Sequence, residues 1–303
     1  MSDLAGGPIE GPQDHADDDV KDWLAGLSSL TAELVDRWEL ALGEPFAGAS
    51  IGYTVAATRA GVDAVVLKIT YPDGWFPETV GALVRWDGDG AVELIDHDPR
   101  GAILLERALP GPHLSDEPDE DAALLVAAGV MERLWIPGPT GITRVVDEVG
   151  RWAATFRDRN DALGSPVPRE LADEAVGSME ELIASPREER LLHGDLHLGN
   201  VLAARREPWL AISPKPLVGD REFDVSTLIR DSAEAVVRNA GAPRRMHHRL
   251  DVLAERLWCD RERLRLWSLA VAAVSALATW EDGNDDLGAT QVAVAEVLST
   301  VSR

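Results

Sequence analysis

The sequence predicts an α+β protein of two lobes, a small sheet-bearing N-lobe followed by a larger, mainly helical C-lobe. Three observations carry that prediction. Short β-branched runs lie between about residues 53 and 106, a Gly/Pro-rich hinge falls at about 107–112, and apolar residues beyond it recur at three- and four-residue steps almost to the end. With 303 residues and 45% hydrophobic content, the chain is long enough to bury a core in each lobe.

In chain order, residues 1–18 are acidic and rich in Gly and Pro, and read as a loose tail. Residues 19–107 form the expected N-lobe and 108–303 the C-lobe. A helix is expected over 20–42, where Trp23, Leu24, Leu27, Leu30, Leu34, Trp38 and Leu42 keep helical spacing. Runs at 53–58 and 64–70, separated by a turn with Gly61 and Asp63, predict a hairpin. A short helix follows at 78–86, then a second strand pair around "DPRG". Further helices are expected at 120–134, 145–161, 171–185, 263–280 and 289–301, interrupted by a hairpin that contains "LHGDLHLGNVLAARREPWLAIS".

Composition narrows the function. The formal net charge of −24 repels nucleic acids and anionic membranes and favours a cationic ligand, although an acidic surface also serves solubility. The longest apolar run, "LAVAAVSALATW" at 269–280, is too short to cross a bilayer and reads as a buried helix. The acidic N-terminus is the reverse of a secretory signal, so a cytoplasmic protein is expected, and a monomer. Cys259 is the single cysteine, which excludes an internal disulfide; it reads as a packing residue.

The quoted stretch carries chemistry. His193, Asp195 and Asn200 follow an H-x-D-x-x-x-x-N spacing, which in a protein-kinase-like loop puts a carboxylate at the acceptor hydroxyl and an amide oxygen at Mg²⁺. Lys68 ends the apolar strand "AVVLK", a context in which a strand lysine reaches the phosphates of ATP. Glu78 is the nearest acid on the following helix able to pair with Lys68; a solvated glutamate at a helix start fits it equally. His197 and the pair His247 and His248 lack metal-ligand spacing.

Taken together, "HGDLHLGN", "WLAISPKPLVGD", "EFDVSTLI", "AVVLK", "RWDGDGAVELI" and "ILLERALPG" resemble the aminoglycoside phosphotransferase family, in its streptomycin 6-kinase and hydroxyurea phosphotransferase branch, over roughly residues 45–285. The resemblance implies a bilobal protein-kinase-like fold and an ATP- and Mg²⁺-dependent phosphotransferase acting on a small cationic substrate. It implies that Asp195 is catalytic, Asn200 a Mg²⁺ ligand and Lys68 the phosphate-binding lysine. It places adenine on the backbone from Glu106 to Ala108, and Ser50 and Gly52 in a turn over the phosphates. Asp224 becomes a structural acid that braces the catalytic loop beside His193.

One position departs from the pattern. Where the resemblance expects an aspartate that bridges Mg²⁺ to the nucleotide, eighteen residues after Asp195, this chain has Ser213. Asp220 stands nearby and reads as structural, and Leu198 replaces a frequent proline. The departure leaves an active kinase, a catalytically impaired nucleotide-binding pseudokinase and a partner-binding scaffold as readings. An acceptor site is expected near "TWEDGNDD", where Trp280, Glu281 and Asp282 would hold cationic groups; a solvated acidic turn is the plainer reading.

Overall fold

The computed structural model describes residues 17–46, 52–231, 237 and 241–301. The chain forms two compact units. One holds the described part of Glu10–Pro112 together with Leu202–Ile212; the other holds His113–Val201 and Ser213–Arg303.

In the first unit, α1 (Asp17–Arg37) leads into a five-stranded antiparallel sheet built from β1 (Leu40–Pro45), β2 (Gly52–Arg59), β3 (Asp63–Thr70), β4 (Leu94–Asp98) and β5 (Ala102–Glu106). Its strand order is β1-β2-β3-β5-β4, with α2 (Trp75–Trp86) inserted after β3. The helix expected over 20–42 stops short. Glu39 takes a left-handed φ of 54°, and Leu40 and Leu42 become β1 residues that pair with Arg59 and Ala57. Pairing with the edge of β2 outweighs helical spacing at Leu42.

The core of this unit is a single cluster in which Leu30, Leu34 and Trp38 meet Val55, Val65, Leu67, Ile69 and Leu104. Alternation along β3 buries Val65, Leu67 and Ile69 and turns Lys68 to the opposite face. Residues 202–212, expected in the helical lobe, also belong here. β8 (Val201–Ala204) and β9 (Trp209–Ala211) form a three-stranded sheet with β6 (Pro110–His113). Ala211 exchanges hydrogen bonds with Val92 and Gly90, and Arg206 forks onto Glu106 at 2.9–3.2 Å.

The second unit is mainly helical: α3 (Glu120–Leu134), α4 (Val145–Ala162), α5 (Arg169–Ala184), α6 (Arg221–Arg230), α7 (Ala242–Leu257), α8 (Arg261–Glu281) and α9 (Asp285–Thr300). Helix α8 lies at its centre, buried continuously from Arg263 to Ala278, with α5, α6 and α9 packed on it. That explains an apolar run too short for a membrane: no helix among the described residues is long and apolar enough to cross one. Two helices lie where the sequence reading assigns none. In α7, Met246, Leu250, Leu253 and Leu257 keep helical spacing among six arginines and histidines that mask it. In α6, every residue from Glu222 to Arg230 is buried, so no polar face marks a period.

The H-x-D-x-x-x-x-N segment runs between β7 (Arg190–Leu192) and β10 (Leu217–Gly219), an antiparallel pair. Asp220 follows β10 and starts α6. Its Oδ1 accepts the Arg187 amide at 2.9 Å and its Oδ2 pairs with Arg263 of α8 through Nε at 2.8 Å and through Nη2. Both side chains are buried, so each neutralises a charge that the interior does not tolerate alone. Asp220 is thereby committed to the scaffold. Arg263→Met should destabilise the protein by about 3–5 kcal/mol, because it leaves Asp220 buried and unpaired. Urea unfolding of Arg263→Met and of the double variant Arg263→Met/Asp220→Asn checks this: the double variant should recover part of the loss, and additive losses would contradict the pairing.

Candidate active site

The H-x-D-x-x-x-x-N segment leaves β7 as a loop, continues into a 3₁₀ turn (Leu198–Asn200) and enters β8. A loop this polar survives in the interior only if its backbone groups find partners. Two buried carboxylates, three histidines and an asparagine supply them. Asp224, in the first turn of α6 and fully buried, accepts the amides of His193 at 3.1 Å and Gly194 at 2.8 Å and the indole N–H of Trp135 at 3.0 Å. Burial pushes the Asp224 carboxyl above the usual carboxylate range, opposed by those three donors.

Asp231, just past α6, accepts the Leu198 amide at 2.7 Å, and its own carbonyl takes Nη1 of Arg249 at 2.6 Å. His197 accepts the Gly199 amide at 3.1 Å, and Nδ1 of His113 lies 2.6 Å from the Gly199 carbonyl. The Asn200 side chain donates to the Asp195 carbonyl at 2.8 Å, which closes the loop and fixes its amide. The Asp195 amide in turn points at Nδ1 of His193, 3.3 Å away.

Asp195 is 5% exposed and its two oxygens differ. Oδ2 meets the ammonium of Lys215 at 3.2 Å; Oδ1 is buried and has no hydrogen-bond partner. Behind the loop lies Arg230, whose Nε is also buried without a partner. Burial pulls its guanidinium down to about 10, while the carboxylates of Asp195 and Asp231 act against that shift. Ser213 sits at a left-handed φ of 55°, unusual for a residue other than glycine.

The other sequence-selected residues fall as follows. Lys68 is in β3 and Glu78 in the first turn of α2, both in the first unit. Glu106 ends β5; its amide goes to the Glu93 carbonyl and its carboxylate to Arg206. Ala108 follows, buried, in the connection to β6. Gly52 opens β2 with a φ of 156°, and a Cβ there would lie 2.4 Å from the Ile69 carbonyl oxygen, so only glycine fits that position. Ser50 lies outside the described residues.

Trp280, Glu281 and Asp282 end α8. The Trp280 ring rests against Gly288 of α9, Glu281 makes a two-point ion pair with Arg159 of α4 at 2.5 and 2.9 Å, and Asp282 is exposed. Among the described residues no group of three or more His, Cys, Asp or Glu side chains could hold a metal ion. The residues that sequence reading passes over are Lys215, Asp231, His113 and Arg230. A lysine bracketed by two prolines in a chain of three lysines was the one local signal among them.

Comparison with known proteins places this geometry. The profile of the aminoglycoside/hydroxyurea antibiotic resistance kinases matches residues 37–283. A streptomycin 6-kinase of Streptomyces griseus is 37% identical over 282 residues, covering 91% of each chain. A hydroxyurea phosphotransferase of Kitasatospora aureofaciens is 36% identical over 282 residues, covering 92% of this chain and 80% of its own. Among solved structures, an aminoglycoside phosphotransferase in complex with ADP and hygromycin B aligns with a TM-score of 0.65 at 16% identity, over 91% of this chain and 99% of its own. The fold is therefore protein-kinase-like, and the chain is an enzyme that belongs to the aminoglycoside/hydroxyurea antibiotic resistance kinase family.

Proposed function

We propose that the protein transfers the γ-phosphoryl group of ATP to a hydroxyl of a small cationic molecule, of the streptomycin-like aminoglycoside class. The observation that carries the reading is Asp195: a nearly buried carboxylate, on a loop whose backbone is anchored at five residues, with one oxygen lacking a partner. Such an oxygen costs stability where it stands, so an acceptor O–H that satisfies it is bound and oriented by the same contact.

The roles follow. Asp195 orients the acceptor and takes its proton as the acceptor oxygen bonds to the γ-phosphorus. The bond from that phosphorus to the β,γ-bridging oxygen breaks, and ADP leaves with the electron pair. Lys68 contacts the phosphates, with Glu78 as its partner, and the backbone around Ser50 and Gly52 covers them. The backbone from Glu106 to Ala108 takes adenine. Side-chain oxygens suit Mg²⁺: the Asn200 amide nitrogen is given to Asp195, which leaves its oxygen for the ion, and Ser213 offers a hydroxyl. When bound, Mg²⁺ neutralises charge that develops on the phosphates; a site with few protein ligands is normal for an ion held mainly by nucleotide.

Trp280, Asp282 and Glu281 are the acceptor-side residues of this reading, with Glu281 shared with Arg159. The net charge of −24 draws a polycation towards the protein. Because ATP is a cytosolic cosubstrate, the reaction belongs in the cytoplasm, carried out by a monomer. The relatives, named as kinases and phosphotransferases, lend the impaired-pseudokinase alternative no support.

Two variants test the reading by ADP release with streptomycin as acceptor. Asp195→Asn keeps volume and removes the base, so turnover should fall by about 10²–10⁴ with the melting temperature nearly unchanged; retained turnover would take Asp195 out of the reaction. Ser213→Asp supplies an ionised ligand at a left-handed position that aspartate tolerates, so nucleotide affinity in Mg²⁺ should rise by about tenfold. An unchanged affinity would show that residue 213 does not reach the metal.

A further inference from the structure

Lys215 carries an inference that rests on the kinase reading and deepens it. Its backbone is unusually constrained. Pro214 and Pro216 flank it, which fixes φ on both sides and holds Lys215 itself extended. The Lys215 amide donates to the His193 carbonyl at 2.9 Å, so its α-carbon is tied to the catalytic loop two residues before Asp195. From there the ammonium reaches Oδ2 of Asp195 at 3.2 Å, with the lysine side chain 36% exposed and the aspartate side chain 7% exposed.

An ion pair at a protein surface contributes little to stability. This one differs because the carboxylate is nearly buried and because the pairing is one-sided. With Oδ2 held by Lys215, rotation of the carboxyl group is arrested and Oδ1 remains as the oxygen without a partner. Arg230 adds positive charge from the buried side of the loop without a hydrogen bond to Asp195 among the contacts described. It sets the field; Lys215 sets the orientation.

We propose that Lys215 is a positioning residue for phosphoryl transfer: it fixes Asp195 through Oδ2 so that Oδ1 receives the proton of the acceptor hydroxyl. A freely rotating carboxylate would spend part of its time with neither oxygen aligned, and misalignment of a base by about 1 Å costs up to about 100-fold in rate.

The test compares Lys215→Met, which keeps length and removes charge, with Lys215→Arg, which keeps a donor. Lys215→Met should lower kcat about 10- to 100-fold with the KM for ATP within about twofold, and Lys215→Arg should restore most of the rate. A second readout needs no turnover. The chain has three lysines, so the side-chain ammonium signal of Lys215 can be followed by NMR in the full-length protein, and it should shift in Asp195→Asn. An ammonium signal identical in the two proteins would overturn the pairing. A wild type that turns over alongside an equally fast Lys215→Met would overturn the positioning role alone, whereas a wild type that phosphorylates no acceptor overturns the kinase reading and this role with it. Loss of rate in both lysine variants, with no rescue by arginine, would also count against it.

Discussion

The H-x-D-x-x-x-x-N loop depends on one buried carboxylate. Asp224 has no contact with water and still accepts three N–H groups, two of them the consecutive amides of His193 and Gly194 that lead into Asp195. Removing a carboxylate from water is costly, and three donors together with its place in the first turn of α6, where the helix dipole favours negative charge, offset that cost. The interaction works in both directions. The loop's amides stabilise the ionised acid, and the acid holds the loop in a conformation that no local propensity of "HGDLHLGN" would maintain.

The rest of the second unit extends that arrangement. Asp220 at the start of α6 is tied to α8 by Arg263, and Asp231 past its end is tied to α7 and α3 through Arg249 and Glu120. Helix α6 is therefore clamped at both ends, and the acids that brace the loop are carried on it at fixed separation. Those acids accept the backbone amides of the loop or pair with arginines, which leaves Asp195 as the loop's acid with an oxygen to spare.

Much of this was legible in the sequence where the signal is local. The β2–β3 hairpin shows in its β-branched runs and its Gly61 turn. The failures share a cause in long-range packing. Leu42 fits a helical stripe as well as a strand, and only the pairing with Ala57 decides between them. Residues 202–212 join the first unit through contacts with Gly90, Val92 and Glu106 more than 90 positions away. Glu281 meets Arg159 across 122 positions, and Lys215 meets Asp195 only after the chain has passed through β8 and β9, which no spacing rule encodes. Asp220 reads as structural from the sequence, and its two oxygens accept the Arg187 amide and the Arg263 guanidinium.

If Asp224 holds the loop, its amides should be protected by that carboxylate and by little else. Hydrogen exchange of the His193 and Gly194 amides in wild type and in Asp224→Asn measures this directly. Exchange should be about tenfold to a hundredfold faster at both amides in the variant, since the substitution turns one of the two accepting oxygens into an N–H donor and breaks the arrangement that holds both. Protection in the β2–β3 hairpin of the first unit should be unchanged. Wild-type exchange rates at His193 and Gly194 in Asp224→Asn would contradict it.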